Sequence, residues 1–159
     1  MKKLVSLLVL SMFVLVVLSG CGKGAEGKLV GKTFSFQVDG EIPGTFTFKD
    51  NGLLMMKDSS GSSAITVNYE FQEVDGKEYV VFWNRPQGER FLRPSQSIKE
   101  SKDVIKKYWY FDSDSLTLKS LKKTNPSFFE KGGYLKDKKY LKDLKFGEEK
   151  EYIKLIEEK

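Results

Sequence analysis

The chain has 159 residues, a formal charge of +5, one cysteine, no histidine, and 12 Phe, 7 Tyr and 2 Trp. That is the length of a single domain, with too much aromatic burial available for a disordered chain. The missing imidazoles exclude Ser-His-Asp and Cys-His catalysis and histidine metal sites. The single cysteine excludes an internal disulfide, and so mild a charge calls for no nucleic-acid partner.

In chain order, Met1-Lys2-Lys3 is a short positive head. Residues 4–18 are apolar except for Ser6 and Ser11. This run falls short of the roughly 20 residues of a comfortable membrane span and suits the apolar part of a secretory signal. Leu18-Ser19-Gly20-Cys21 follows and resembles the lipobox of bacterial lipoproteins at all four positions. The resemblance implies cleavage between Gly20 and Cys21 and a diacylglyceryl group on the Cys21 sulfur. The thiol is the nucleophile that takes the lipid, and two acyl chains anchor stably where one binds only marginally. The expected organisation is a signal peptide over 1–20, a lipidated Cys21 with a flexible tether over 21–30, and one β-rich domain over 31–159. The Gly-rich, polar Gly22–Lys28 is the basis for the tether. The expected location is the extracytoplasmic face of the cell membrane, with the bilayer as the first partner.

From Lys32 to about Leu121 the apolar residues alternate with polar ones, the period of half-buried strands. Strands are predicted near 32–38, 44–49, 53–57, 64–72, 77–84, 107–112 and 115–121, with a further short one near 89–92. Asp39-Gly40, Pro43-Gly44, Asp50-Asn51-Gly52, Ser60-Gly61 and Asp75-Gly76 supply the turns between them. Short consecutive strands with hairpin turns predict a mainly β fold, an antiparallel meander closed into a small barrel. Pro86 and Pro94 interrupt the rhythm, and Ser97–Lys107 reads as one or two helical turns. Tyr140, Leu141 and Leu144 have helix-like spacing. Tyr152, Ile153, Leu155 and Ile156 among charges predict a C-terminal amphipathic helix over 148–158.

The segments Gly31–Phe36, Thr47–Gly52, Tyr69–Gly76 and Tyr110–Leu118, set behind a leader and lipobox, resemble the lipocalin-like lipoproteins of Gram-positive bacteria. Phe128-Phe129-Glu130-Lys131 fits the closing strand of that family. The resemblance implies a lipocalin-like barrel. Thr33 stands where a Trp usually follows the glycine of that family.

No residue set reads as catalytic, and no metal or cofactor is expected. Asp112 and Asp114 form the nearest carboxylate pair, but their place between two strand patterns reads as turn capping. They lack the further ligands and glycine of a calcium loop. The candidate ligand residues are Phe34, Phe36, Phe46, Phe48, Tyr69 and Phe71, which would line a barrel pocket for a small apolar molecule. Tyr79, Phe82, Trp83, Tyr108, Trp109, Tyr110 and Phe111 either extend that pocket or fill the barrel.

Nine Lys between Lys119 and Lys145 face Glu130, Asp137 and Asp143. Of these, Lys136, Lys138, Lys139 and Lys142 are the candidates for contact with anionic lipid or wall polymer. The expected function is a non-enzymatic lipoprotein that binds a small apolar ligand or an envelope component. One alternative is a protein-interaction or immunity-type surface lipoprotein. Another is that Phe13–Gly20 is released as an octapeptide similar to pheromones trimmed from lipoprotein leaders.

Overall fold

The computed structural model describes residues 24–83, 95–100, 104–122, 134–135 and 137–159. It opens with a short helix, α1 (Ala25–Leu29). Five strands follow: β1 (Thr33–Val38), β2 (Glu41–Phe48), β3 (Leu53–Asp58), β4 (Ala64–Val74) and β5 (Lys77–Trp83). These are the predicted hairpins, except that Pro43-Gly44, expected as a turn, lies within β2. The residue pairs Asp39-Gly40 and Asp75-Gly76 take positive φ at both positions, the two-residue turn whose twist matches its flanking strands. Each strand then sends alternate side chains inward, so Phe34 and Phe36, Phe46 and Phe48, and Leu54 and Met56 share one interior.

The second half departs from the meander. β6 (Gln96–Lys99) and β7 (Ile105–Asp112) are followed by β8 (Thr117–Lys119) and β9 (Leu121–Lys122). Then come β10 (Tyr134–Leu135), a 3-10 turn at Lys138–Asp143, β11 (Lys145–Phe146), a second 3-10 turn at Glu149–Glu151, and β12 (Tyr152–Glu157). The ring of hydrogen-bonded strands runs β7-β5-β4-β3-β2-β1-β12-β8 and returns to β7, a closed antiparallel barrel of eight strands.

Several expectations are corrected here. The C-terminal helix is the strand β12. Its apolar residues satisfy both periods, but Ile153 and Leu155 point alternately into the barrel and complete its interior. The helical turns expected over 97–107 are strand at Gln96–Lys99 and again from Ile105, because both segments pair antiparallel. The strand expected over 115–121 divides into β8 and β9 after a turn in which Leu116 takes φ 49°. Of the stretch read as a flexible tether, residues 25–29 are helix, with Ala25 and Leu29 fully buried in the barrel core. Burying these two side chains, four apart on one helix face, offsets the entropy that a Gly-rich segment loses on ordering. The lipobox, Cys21, Gly20, the octapeptide, the strand near 89–92 and Phe128–Lys131 lie outside the described residues.

β7 has two neighbours on one edge. β8 pairs with its last residues, Tyr110–Asp112, and β6 with its first, Ile105–Tyr108. β6 therefore leaves the barrel wall and begins an outer layer, continued by the parallel β10 and the 3-10 turn at 138–143. A second apolar cluster fills the space beneath it: Tyr79, Val81, Tyr108, Ile98, Leu121, Leu135, Leu141 and Leu144. Strands β5 and β7 are thus buried on both faces. This accounts for the aromatic excess in the sequence. Phe82, Trp109 and Phe111 point into the barrel, whereas Tyr79 and Tyr108 point out into the second core.

Candidate functional site

The six predicted ligand residues do come together inside the barrel. Phe34, Phe36, Phe46 and Phe48 are fully buried, Tyr69 is nearly so, and Phe71 packs at the margin. They form a continuous run of ring contacts. Phe36 stacks on Phe46 at 4.1 Å, and Phe34 and Phe46 each meet Phe48 edge-on at 6.0 and 6.4 Å. Phe48 meets Tyr69 at 5.2 Å, and Tyr69 meets Phe71 at 5.4 Å. Such offset and T-shaped pairs are the favoured aromatic geometries. The Tyr69 hydroxyl donates to the Lys49 carbonyl at 2.6 Å, and burial pushes its pKa up. On this side of the barrel the rings are one another's neighbours.

Across the barrel, Trp109 is fully buried on β7, among a cluster that includes Val80, Phe82, Phe111 and Leu118. Its indole Nε1 is buried without a hydrogen-bond partner, the one such side-chain atom among the described residues. A buried donor left unmade costs about 1–3 kcal/mol. The sequence marks Trp109 as aromatic and strand-borne. Nothing in it shows that the indole N–H lacks an acceptor.

One mouth of the barrel is closed by α1. The Ala25 N–H donates to Glu78 Oε1 on β5 at 2.9 Å, and Lys28 Nζ donates to the Ser113 carbonyl beyond β7 at 2.7 Å. At the other end of the helix, Gly31 N–H donates to the Phe48 carbonyl at 2.7 Å as the chain enters β1. β5 and β1 lie four strands apart in a ring of eight, so α1 crosses the whole mouth. The spacing of Ala25 and Leu29 was the sequence signal for this closure.

The basic stretch lies on the flank, over the second core. Lys138 pairs with Glu100 at 3.2 Å, and Lys139 approaches Asp137 at 3.9 Å. Lys142 is exposed, and Lys136 lies outside the described residues. Beneath them Lys106 joins Glu70 at 2.8 Å to Glu100 at 3.3 Å, with its ammonium 4.8 Å from the Trp83 ring centre. Tyr108 donates to Gln72 at 3.1 Å and to Glu100 at 3.3 Å, and burial raises its pKa. These bonds tie the outer layer to β4 and β7.

Asp112 does cap the turn, accepting from the Asp114 and Ser115 N–H groups at 3.1 and 3.3 Å. Lys119 pairs with it at 2.5 Å and holds its carboxyl down at about 2. The Lys119 ammonium also sits 5.6 Å from the Tyr152 and Phe146 rings. The chain's own cation fills this aromatic surround. An outer cleft of about 450 Å³ lies between the β1–β2 hairpin and the turn at 149–151, lined by Gln37, Asp39, Glu149, Lys150, Tyr152 and Lys154. Among the described residues, no three His, Cys, Asp or Glu are grouped to hold a metal ion. No helix among them is long and apolar enough to cross a membrane.

No protein-family model matches the chain, and no curated protein matches it in sequence. Among solved structures, the barrel is similar to a DUF4909 family protein from Staphylococcus aureus subsp. aureus Mu50. The TM-score is 0.60 at 15% sequence identity, over 82% of this chain and 97% of that one. At that identity the likeness is one of fold: the closed barrel has a solved counterpart.

Proposed function

We propose that the protein is a lipoprotein held at the outer face of the cell membrane through Cys21, with the barrel as a non-catalytic binding module for a small apolar molecule or envelope component. The leader and lipobox motif support the anchor. The unpartnered indole of Trp109 supports the binding: an apolar interior that contains one unused donor favours an apolar ligand that carries an acceptor oxygen, such as an acyl ester or a fatty acid. The expected contact is the Trp109 indole, the unpartnered buried donor.

The test is native mass spectrometry of the full protein extracted from its host membrane. The expected spectrum shows a diacylglyceryl mass on Cys21 and a non-covalent adduct that is lost in Trp109→Phe. A ligand-free barrel, together with a Trp109→Phe variant as stable as or more stable than the parent, would sink the binding part. Cys21→Ala that stays on the membrane would sink the anchor.

A further inference from the structure

The geometry points to a defined seating of the barrel on the bilayer: it rests on the flank that carries Lys139, Lys142 and Lys145, with these lysines toward anionic headgroups. The inference rests on the anchor proposed for Cys21. Helix α1 fixes where the chain leaves the barrel. Its first residue is bonded to Glu78, and Gly24 lies so close that a Cβ would meet Glu78 Oε1 at 2.3 Å. The exit is therefore at the rim of β5, not at the centre of the mouth. Three peptide links separate Gly24 from Cys21, a reach of at most about 11 Å. β5 is also a strand whose outer face bears the second layer. The described chain thus begins at the corner between the closed mouth and the lysine-bearing flank.

These two faces compete for the headgroups, and their charges differ. The mouth presents Glu26 on α1 and Asp50, Asp75 and Asp114 in its turns, against Lys28, Lys49 and Lys77. Of its further charges, Lys32 is paired with Glu157 at 3.0 Å. The flank over 137–146 carries Lys139, Lys142 and Lys145, all exposed, against Asp137 and Asp143, with Lys138 paired to Glu100 at 3.2 Å. Phe146 is 38% exposed beside them, an apolar group suited to the headgroup boundary. The mouth is thus slightly negative and the flank slightly positive, so an anionic surface favours the flank, over roughly a 10 Å screening length.

The test uses the lipidated full chain in vesicles of phosphatidylcholine with or without phosphatidylglycerol. With Cys21 alkylated by its lipid, a single label is placed by Lys139→Cys on the flank, Asn51→Cys at the mouth, or Ser59→Cys at the far end. Quenching by a headgroup-attached quencher is then read. With phosphatidylglycerol, the label at 139 should be quenched several-fold more than that at 59 and more than that at 51. Adding Lys142→Glu and Lys145→Glu should reduce the 139 signal at least twofold. If the label at 51 is quenched most, or the 139 signal ignores charge reversal, the flank seating is wrong while the anchor stands. Absence of the diacylglyceryl mass at Cys21 overturns the anchor and the seating together.

Discussion

Two apolar cores share the strands β5 and β7 but are secured in different ways. The barrel core draws side chains from all eight strands of a closed hydrogen-bonded ring, with α1 over one mouth. The outer core lies under one layer, attached by two-residue pairings of β10 with β6 and β11 with β9 and by the ion pairs around Glu100 and Lys106. Equal burial does not confer equal stability. The ring has no edge from which to fray, whereas the layer has few backbone bonds to lose and is the part expected to open first.

The comparison is broken most completely by removing the strand that closes the ring. Deleting residues 152–159 should abolish the cooperative urea transition, because β1 and β8 both lose a partner. Next, Phe46→Ala should cost about 3–5 kcal/mol and shift the global urea transition, since its ring stacks on Phe36 in the barrel core. Leu141→Ala should cost about 2–3 kcal/mol, and its mark is locality. Hydrogen exchange should speed up at 134–146 while the amides of β2 and β3 keep their protection. Uniform loss across both regions would show that the two cores melt as one.

A smaller effect comes from Asp112. Its pKa is depressed in the folded chain, so the stability it contributes is full above about pH 4 and is lost as pH falls toward about 2. Asp112→Asn should cost on the order of 1–2 kcal/mol at neutral pH and flatten the acid limb of the stability curve. Smallest of all, Lys139→Glu should change stability by no more than about 0.5 kcal/mol, because its contact with Asp137 is solvent-exposed.

The legible part of the fold was the part encoded locally. Strict alternation and the turns Asp39-Gly40 and Asp75-Gly76 define β1, β3, β4 and β5 to within two residues, whereas β2 begins three residues early and takes in Pro43-Gly44. The C-terminal segment was not legible. Ile153 and Leu155 fit a helix face as well as a strand face, and the choice is made by the distant β1 and β8, which leave a gap of one strand. Nor could composition reveal that Gly24–Leu29 is fastened, because its bond to Glu78 spans 53 positions. Within the candidate site, the six interior aromatics were readable from period two. The lone indole donor of Trp109 was not, since satisfaction depends on what surrounds an atom. The lysines were visible as a cluster, but their place over the second core needed the path of the outer layer.

The placement of β12 between β1 and β8 sets an order of events for the growing polypeptide. The first strand made waits for the last one as its neighbour, so its open edge persists until nearly the whole chain is available. Contacts this distant in sequence slow folding and leave β1 as the site most exposed to pairing with another copy in the meantime. Sealing the ring is therefore a final step, and the interval before it is when the chain most needs protection from its own kind.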